Sequence, residues 1–332
     1  MQKFIFYYTI FIAITSFSYA KNVPIDADQT ELLKEKQTFE PWFTGPLLAG
    51  SGHTVPADHV LWEPYLFATE SLGIYDDHWK TKDTPKNLSI TPLCLFVYGI
   101  NSFMDFQMMP TLSSNFQQGS HDTRLNDLPL SLGFQVLHDK PKSWEPDIRL
   151  LIREIFPTGH YEHLNPDNNG TDATGLGSFQ TGLGLNSQKL FTINAHLLRL
   201  RLNFNWVIPS TVFVRSFNSF GGGFGTRGKI RPGQTFSSIF AIEYMFSQHF
   251  VGALDIQYLF SGKNRFSGYK GLDAKGQKAL IGSPASHQFS LAPGLEYNFN
   301  VNTGLIFGVW FSVVGKNSNR FVSGVIALNY YH

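Results

Sequence analysis

The sequence predicts an all-β chain: a transmembrane, antiparallel, up-and-down β-barrel of about twelve strands. Three observations carry this. From about Leu61 to Tyr331, apolar and polar residues alternate in stretches of roughly ten. The turns between stretches are alternately short and long, and the chain opens with an export signal. A strand tilted across a bilayer needs about 9–11 residues, with lipid-facing and water-facing side chains in alternation. Phe250 to Phe260 is the clearest case: Phe250, Gly252, Leu254, Ile256, Tyr258 and Phe260 share one face, and Val251, Ala253, Asp255, Gln257 and Leu259 the other.

Residues 1–20 read as a signal peptide. Lys3 gives the positive start, Phe4 to Ile14 an apolar run too short to span as a helix, and Ser18-Tyr19-Ala20 a small-residue cleavage site. An exported chain with lipid-facing strands is expected in a bacterial outer membrane, because only helices and closed barrels satisfy their backbone polar groups in hydrocarbon. Composition agrees. Mean hydropathy is only −0.11, as expected when alternate residues face water, while 31 Phe suit interfacial girdles and 30 Gly suit turns and crowded lumen positions. A net charge of +1 argues against nucleic-acid binding. Cys94 is the single cysteine, so neither an intrachain disulfide nor a cysteine metal cluster can form.

Residues 21–59 form an irregular N-terminal segment, charged at first and then rich in Pro and Gly (Pro41, Gly45, Pro46, Gly50, Gly52, Pro56). It reads as a periplasmic tail, the alternative being a partial plug in the barrel mouth. Residues 60–332 form the barrel. Its expected strands are roughly Val60 to Thr69, Leu88 to Tyr98, Ser102 to Thr111, Asp127 to Leu137, Asp147 to Phe156 and Ser178 to Asn186. The second half gives Thr192 to Ile208, Thr235 to Phe246, Phe250 to Phe260, His287 to Asn298, Thr303 to Val314 and Arg320 to Tyr331. From a periplasmic N-terminus, inner connectors such as Ser187 to Phe191 and Phe299 to Asn302 are brief. Outer ones such as Leu112 to Asn126, Pro157 to Gly177, Pro209 to Gln234 and Ser261 to Ser286 are long.

Charge identifies the lumen face. Arg199 and Arg201 alternate with Leu198, Leu200 and Leu202, and arginine on the lipid side at the midplane costs about 2–4 kcal/mol, so the arginines belong inside. Arg149 and Arg153 alternate likewise with Ile148, Leu150 and Ile152. Glu243, Asp255 and Glu296 place acid on later strands, and Glu63 and Asp105 add it on the first and third. Two readings follow: basic and acidic walls around a constriction that orients solutes, or a lumen crosslinked by salt bridges, which is favoured in a barrel this narrow.

No catalytic constellation is expected. Gly52-His53-Thr54, Gln248-His249 and Ser286-His287 come nearest to a Ser–His pair, but none carries the His-x-Ser-Asn-Gly run of outer-membrane phospholipases. Gly221-Gly222-Gly223-Phe224-Gly225 lacks the Lys-Ser/Thr of a phosphate loop and reads as the mobile tip of an outer loop. Asp167 to Asp172 looks like part of a calcium loop without its distal Glu. No cofactor or metal is expected.

Phe43-Thr44-Gly45-Pro46-Leu47-Leu48, Trp62-Glu63-Pro64-Tyr65, Gly73-Ile74-Tyr75, Trp79, Tyr98-Gly99-Ile100, Phe156-Pro157-Thr158-Gly159 and Ala292-Pro293-Gly294-Leu295-Glu296-Tyr297 together resemble the phenol-degradation meta-pathway family of bacterial outer-membrane β-barrel proteins. The resemblance implies a barrel that passes small, often apolar or aromatic, compounds, and it names no catalytic residue. The expected partners are outer-membrane lipid, a small-molecule solute and the barrel-assembly machinery. The last would read Ile326, Leu328 and Tyr330 as a C-terminal signal, with His332 where an aromatic usually stands. The expected function is a passive channel. The alternatives are a filled barrel whose outer loops bind partners and, least favoured, a lipid hydrolase.

Overall fold

In a computed structural model the described residues are 41–140, 143–193, 196–273 and 275–332. Residues 1–20, expected to be a signal peptide, and residues 21–40 lie outside them. The chain is a closed antiparallel barrel of twelve strands. Its wall begins with β1 (Val60–Tyr75), with β2 (Thr81–Lys82) folded back on it, then β3 (Asn87–Asn101). The third wall strand is β4 (Met104–Met108) continued by β5 (Leu112–Gln117); the fourth is β6 (Ser120–Leu125) continued by β7 (Leu128–Leu137). β8 (Asp147–Phe156), β9 (Gln180–Ile193) and β10 (His196–Pro209) follow. β11 (Val212–Arg215) and β12 (Arg227–Arg231) precede β13 (Thr235–Met245). Then come β14 (Phe250–Ser261), β15 (Arg265–Tyr269), β16 (Ser286–Asn298), β17 (Thr303–Lys316) and β18 (Ser318–Tyr331).

Closure is made by β1, which pairs with β18 on one side and β3 on the other. The Val60 and His332 backbones exchange N–H···O bonds of 2.7 and 2.9 Å at the seam. A closed ladder leaves no strand edge open to hydrocarbon, which is what allows these polar backbones to stand in lipid. Burial alternates along the walls as the sequence pattern requires. In β10, Arg199, Arg201, Asn203 and Asn205 are buried, while Leu202, Phe204, Trp206 and Ile208 are exposed on the outer face.

The structure corrects the sequence reading of several connectors; Pro209 to Gln234 and Ser261 to Ser286, expected as loops, contain β11, β12 and β15. Ser187 to Phe191, expected as an inner turn, lies within β9 and pairs residue by residue with β10. Its polar residues continue the ladder beyond the apolar zone: Gln188 points inward and Lys189 bonds Asp139 at the rim. Leu112 to Asn126, expected as a loop, is mostly the hairpin β5–β6. Gln118 (φ 48°) and Gly119 (φ 85°) supply the two positive-φ positions of a tight hairpin turn. The glycine cluster, expected as a mobile tip, is pinned: Gly221 to Gly223 are buried, and Gly222 donates to the Leu280 carbonyl at 2.7 Å.

Above β10, β13 and β14 the wall continues as a separate three-stranded sheet, β11-β12-β15. Val212, Val214 and Ile230 from its inner face pack with Phe220, and with the partly buried Tyr161, Leu176, Phe266 and Ile281 of the outer loops.

Candidate functional site: the lumen and the segment inside it

All nine charged residues singled out from the sequence are buried: Glu63, Asp105, Arg149, Arg153, Arg199, Arg201, Glu243, Asp255 and Glu296. They do not form two walls facing an open constriction. Arg201 makes a two-pronged bond to Glu243, with Nε at 2.7 Å and Nη2 at 3.2 Å, and Arg199 lies 3.8 Å from the same carboxylate. Arg149 donates to Asp105 at 2.7 Å. Arg153 donates from Nε to Ser131 at 3.0 Å, and Glu63 accepts from the Asn329 amide across the β1–β18 seam. Paired carboxylate and guanidinium groups of this kind satisfy each other in a low-dielectric interior, where an unpaired ion is costly.

The remaining acceptors of the wall hold residues 41–59. Glu296 accepts the Thr44 N–H at 2.7 Å, Asp255 the N–H groups of Leu48 and Ala49 at 3.2 and 2.9 Å, and Asp105 the Val55 N–H at 3.0 Å. Gln188 and Gln135 accept from Gly52 and Thr54 at 3.0 and 2.7 Å. In the other direction Arg201, Asn203, Asn186 and Gln135 donate to the carbonyls of Ala49, Gly50, Ser51 and Gly52. The segment read first as a periplasmic tail therefore runs, over its described residues, inside the barrel. It passes β16, β14, β10, β9, β7 and β4 before reaching β1. Having no regular structure of its own, its backbone needs partners, and the wall side chains supply them.

Two wall glycines show how closely it lies. A Cβ at Gly99 would come within 1.8 Å of the Pro56 carbonyl oxygen, and one at Gly304 within 1.8 Å of Thr44 Oγ1. Phe43 stacks beneath Arg199, 3.9 Å from guanidinium carbon to ring centre. Leu47, Leu48 and Ala49 join a large buried apolar cluster with Leu61, Tyr65, Phe67, Leu95, Trp310 and Phe321. The lumen thus has a mainly apolar, aromatic sector on β1, β3, β17 and β18 and a mainly polar, ionic sector on β4 to β16, with the segment joined to both.

This geometry sets the terms for comparison with known proteins. An outer-membrane channel from Pseudomonas putida F1 superposes with a TM-score of 0.65 at 12% identity, over 85% of this chain and 98% of that one. The two share a fold, a closed antiparallel β-barrel of the outer-membrane type. The NanC porin (TM-score 0.39, 10% identity, 80% of this chain and 98% of that one) and the Pseudomonas putida toluene transporter TodX (0.37, 10%, 83% and 90%) match more loosely. No protein-family model matches the sequence, and no curated protein matches it.

The histidines take structural positions. His53 Nδ1 lies 3.4 Å from Asp147 and 2.7 Å from the Gln188 amide, while Ser51 Oγ donates to Gln188 rather than to the imidazole. His287 Nδ1 meets the Tyr258 hydroxyl at 2.9 Å, and His249 Nδ1 the Asn298 carbonyl at 2.6 Å. In the stretch with the calcium-loop pattern, Pro166–Asn168 is a short 3-10 turn capped by Asn165. No cluster of three or more His, Cys, Asp or Glu able to hold a metal occurs among the described residues.

Periodicity identified the wall residues but missed residues 41–59, whose contacts depend on spatial, not sequential, pattern. Two signals for them were present. The inward positions carry more carboxylates than arginines, and small residues, Gly99 and Gly304, stand where a barrel wall could hold larger ones.

Proposed function

We propose that the protein is an outer-membrane channel for small molecules in which residues 41–59 act as a plug that sets how far the pore opens. The observation that carries this is the mode of attachment. The segment is held by hydrogen bonds from its backbone to wall side chains, each worth about 0.5–1.5 kcal/mol net, which can be exchanged for water one after another. The channel fold supports the reading. The aromatic sector formed by Tyr65, Phe67, Trp310 and Phe321, with Trp310 and Phe321 rings 4.7 Å apart, suits apolar or aromatic solutes moving by passive diffusion beside a polar wall. The reading includes export by residues 1–20 and insertion by barrel-assembly machinery that recognises the last strand, where Ile326, Leu328 and Tyr330 share the outward face.

The filled lumen favours a second reading, a non-transporting surface protein. Planar-bilayer recording of the refolded chain, with and without residues 21–57, separates the two. A plugged channel gives small or intermittent openings that grow severalfold on deletion. Silence from both forms, each verified as inserted, overturns the channel in favour of the filled barrel.

A further inference from the structure

We propose that the outward face of the sheet β11-β12-β15 binds the phosphate groups of a phosphorylated lipid in the outer leaflet; this rests on the outer-membrane reading above. Arg215, Arg227, Lys229, Arg231, Lys263 and Arg265 are all exposed here, on the three strands and the approach to β15. None of the six forms an ion pair among the described residues. The register aggravates this. Arg215 stands directly opposite Arg227, and Arg231 directly opposite Arg265. Like charges facing one another across a ladder are destabilising, and this sheet has two such pairs. Arg215 and Arg227 share one Phe213 ring, at 5.3 and 5.9 Å, but no carboxylate among the described residues pairs with any of the four arginines, whereas an anion laid over the face would neutralise both pairs.

The position of the patch selects the anion. β11 follows the end of β10 after two residues, β12 leads into β13, and β15 continues β14, so the sheet extends the barrel wall beyond its lipid-facing zone. Lipid-facing Trp206 donates to Gln234 at 3.2 Å, just below the first cations. There an open notch of about 280 Å³ is lined by Phe260 and Gln234 together with Arg231, Lys263 and Arg265. Aromatic rings at the level where chains meet headgroups, with guanidinium and ammonium groups immediately above, match a lipid with apolar tails and a phosphorylated head. Arginine forks suit phosphate oxygens, and several together hold more than one phosphate. The surface is not that of a solute pathway, since these side chains lie outside the barrel and the lumen charges lie within.

The test uses the full refolded chain in detergent and, separately, in vesicles. Native mass spectrometry should find diphosphoryl lipid A bound at least about tenfold more tightly than its phosphate-free counterpart. Each Lys or Arg near such a surface contributes about 1 kcal/mol, so the triple variant Lys229→Ser, Arg231→Ser, Arg265→Ser should weaken that binding at least about thirtyfold. Arg231→Lys with Arg265→Lys, which keeps the charge and the fold, should retain most of it. Equal binding of the phosphate-free lipid, or no loss in the triple variant, overturns the proposal. Displacement of the lipid by an equal concentration of inorganic pyrophosphate overturns the lipid and leaves a site for free anions. Insertion into vesicles without phosphate-dependent binding rejects this site alone; failure to insert rejects the membrane reading with it.

Discussion

Glu243 is the residue on which the ionic sector turns. Its carboxylate receives Arg201 at 2.7 Å and stands 3.8 Å from Arg199, all three being buried. Removing one partner of such a group strands the others, a loss of about 3–5 kcal/mol. Glu243→Gln should therefore lower the urea midpoint of the refolded barrel by that equivalent. Adding Arg201→Met should recover part of it, because the stranded cation is then gone. A double variant as unstable as the single one would refute the pairing. That Arg199 and Arg201 face inward was legible from their alternation with leucines; that Glu243 serves both was not, since strand register is invisible in a linear pattern. Asp127 permits a test by pH. At the outer rim, before β7, it accepts the N–H groups of Gly159 and Leu176 at 2.9 and 2.8 Å, and burial pushes its carboxyl up to about 6. A raised native value means that the folded state holds the proton more tightly than the unfolded one. The stabilising contribution is thus complete below about pH 4 and lost as pH rises through about 6. Asp127→Asn should flatten the fall in denaturant midpoint across that window, and an unchanged slope would discount the residue.

At the scale of elements, the sequence was informative wherever lipid imposes alternation and silent where it does not. The outward faces of β10 and β14 were readable because every second residue must be apolar. β5 and β6 were missed because they rise above the membrane, where Ser113, Asn115 and Asp122 are as acceptable as leucine. Residues 41–59 were read as irregular, which they are, but their location depends on donors and acceptors scattered over six wall strands. Gly304 tests that location with the barrel intact. A valine there would drive its Cβ into Thr44 Oγ1, so the segment rather than the wall should give way. Gly304→Val is expected to expose residues 44–48 to protease and to raise conductance while the barrel keeps its heat-modifiable migration on gels. Thr44→Gly in the same chain should reverse part of both effects. Protease resistance unchanged from the parent would place the segment elsewhere.

At the scale of the whole molecule, the lumen charges do not cancel. Asp127 at the outer rim aside, four buried arginines (Arg149, Arg153, Arg199, Arg201) face six buried carboxylates (Glu63, Asp105, Asp147, Glu243, Asp255, Glu296), a formal excess of two negative charges within the described wall strands. With residues 41–59 in place, Asp255 and Glu296 are covered by the N–H groups of Thr44, Leu48 and Ala49, whose dipoles oppose that charge. Withdrawal of the segment would hydrate both carboxylates and leave them facing the pore, where a ring of acid favours cations. The chain lacking residues 21–57 should accordingly show a reversal potential of cation-selective sign in a salt gradient. Substituting Asp255→Asn and Glu296→Gln in that background balances four positive against four negative charges and should bring the reversal potential close to zero. The effect should shrink in high salt, since the Debye length falls from about 10 Å at 0.1 M to about 3 Å at 1 M. Anion selectivity in the shortened chain would mean that the arginines, rather than the carboxylates, are left exposed when the segment leaves, and would reverse the roles assigned to them.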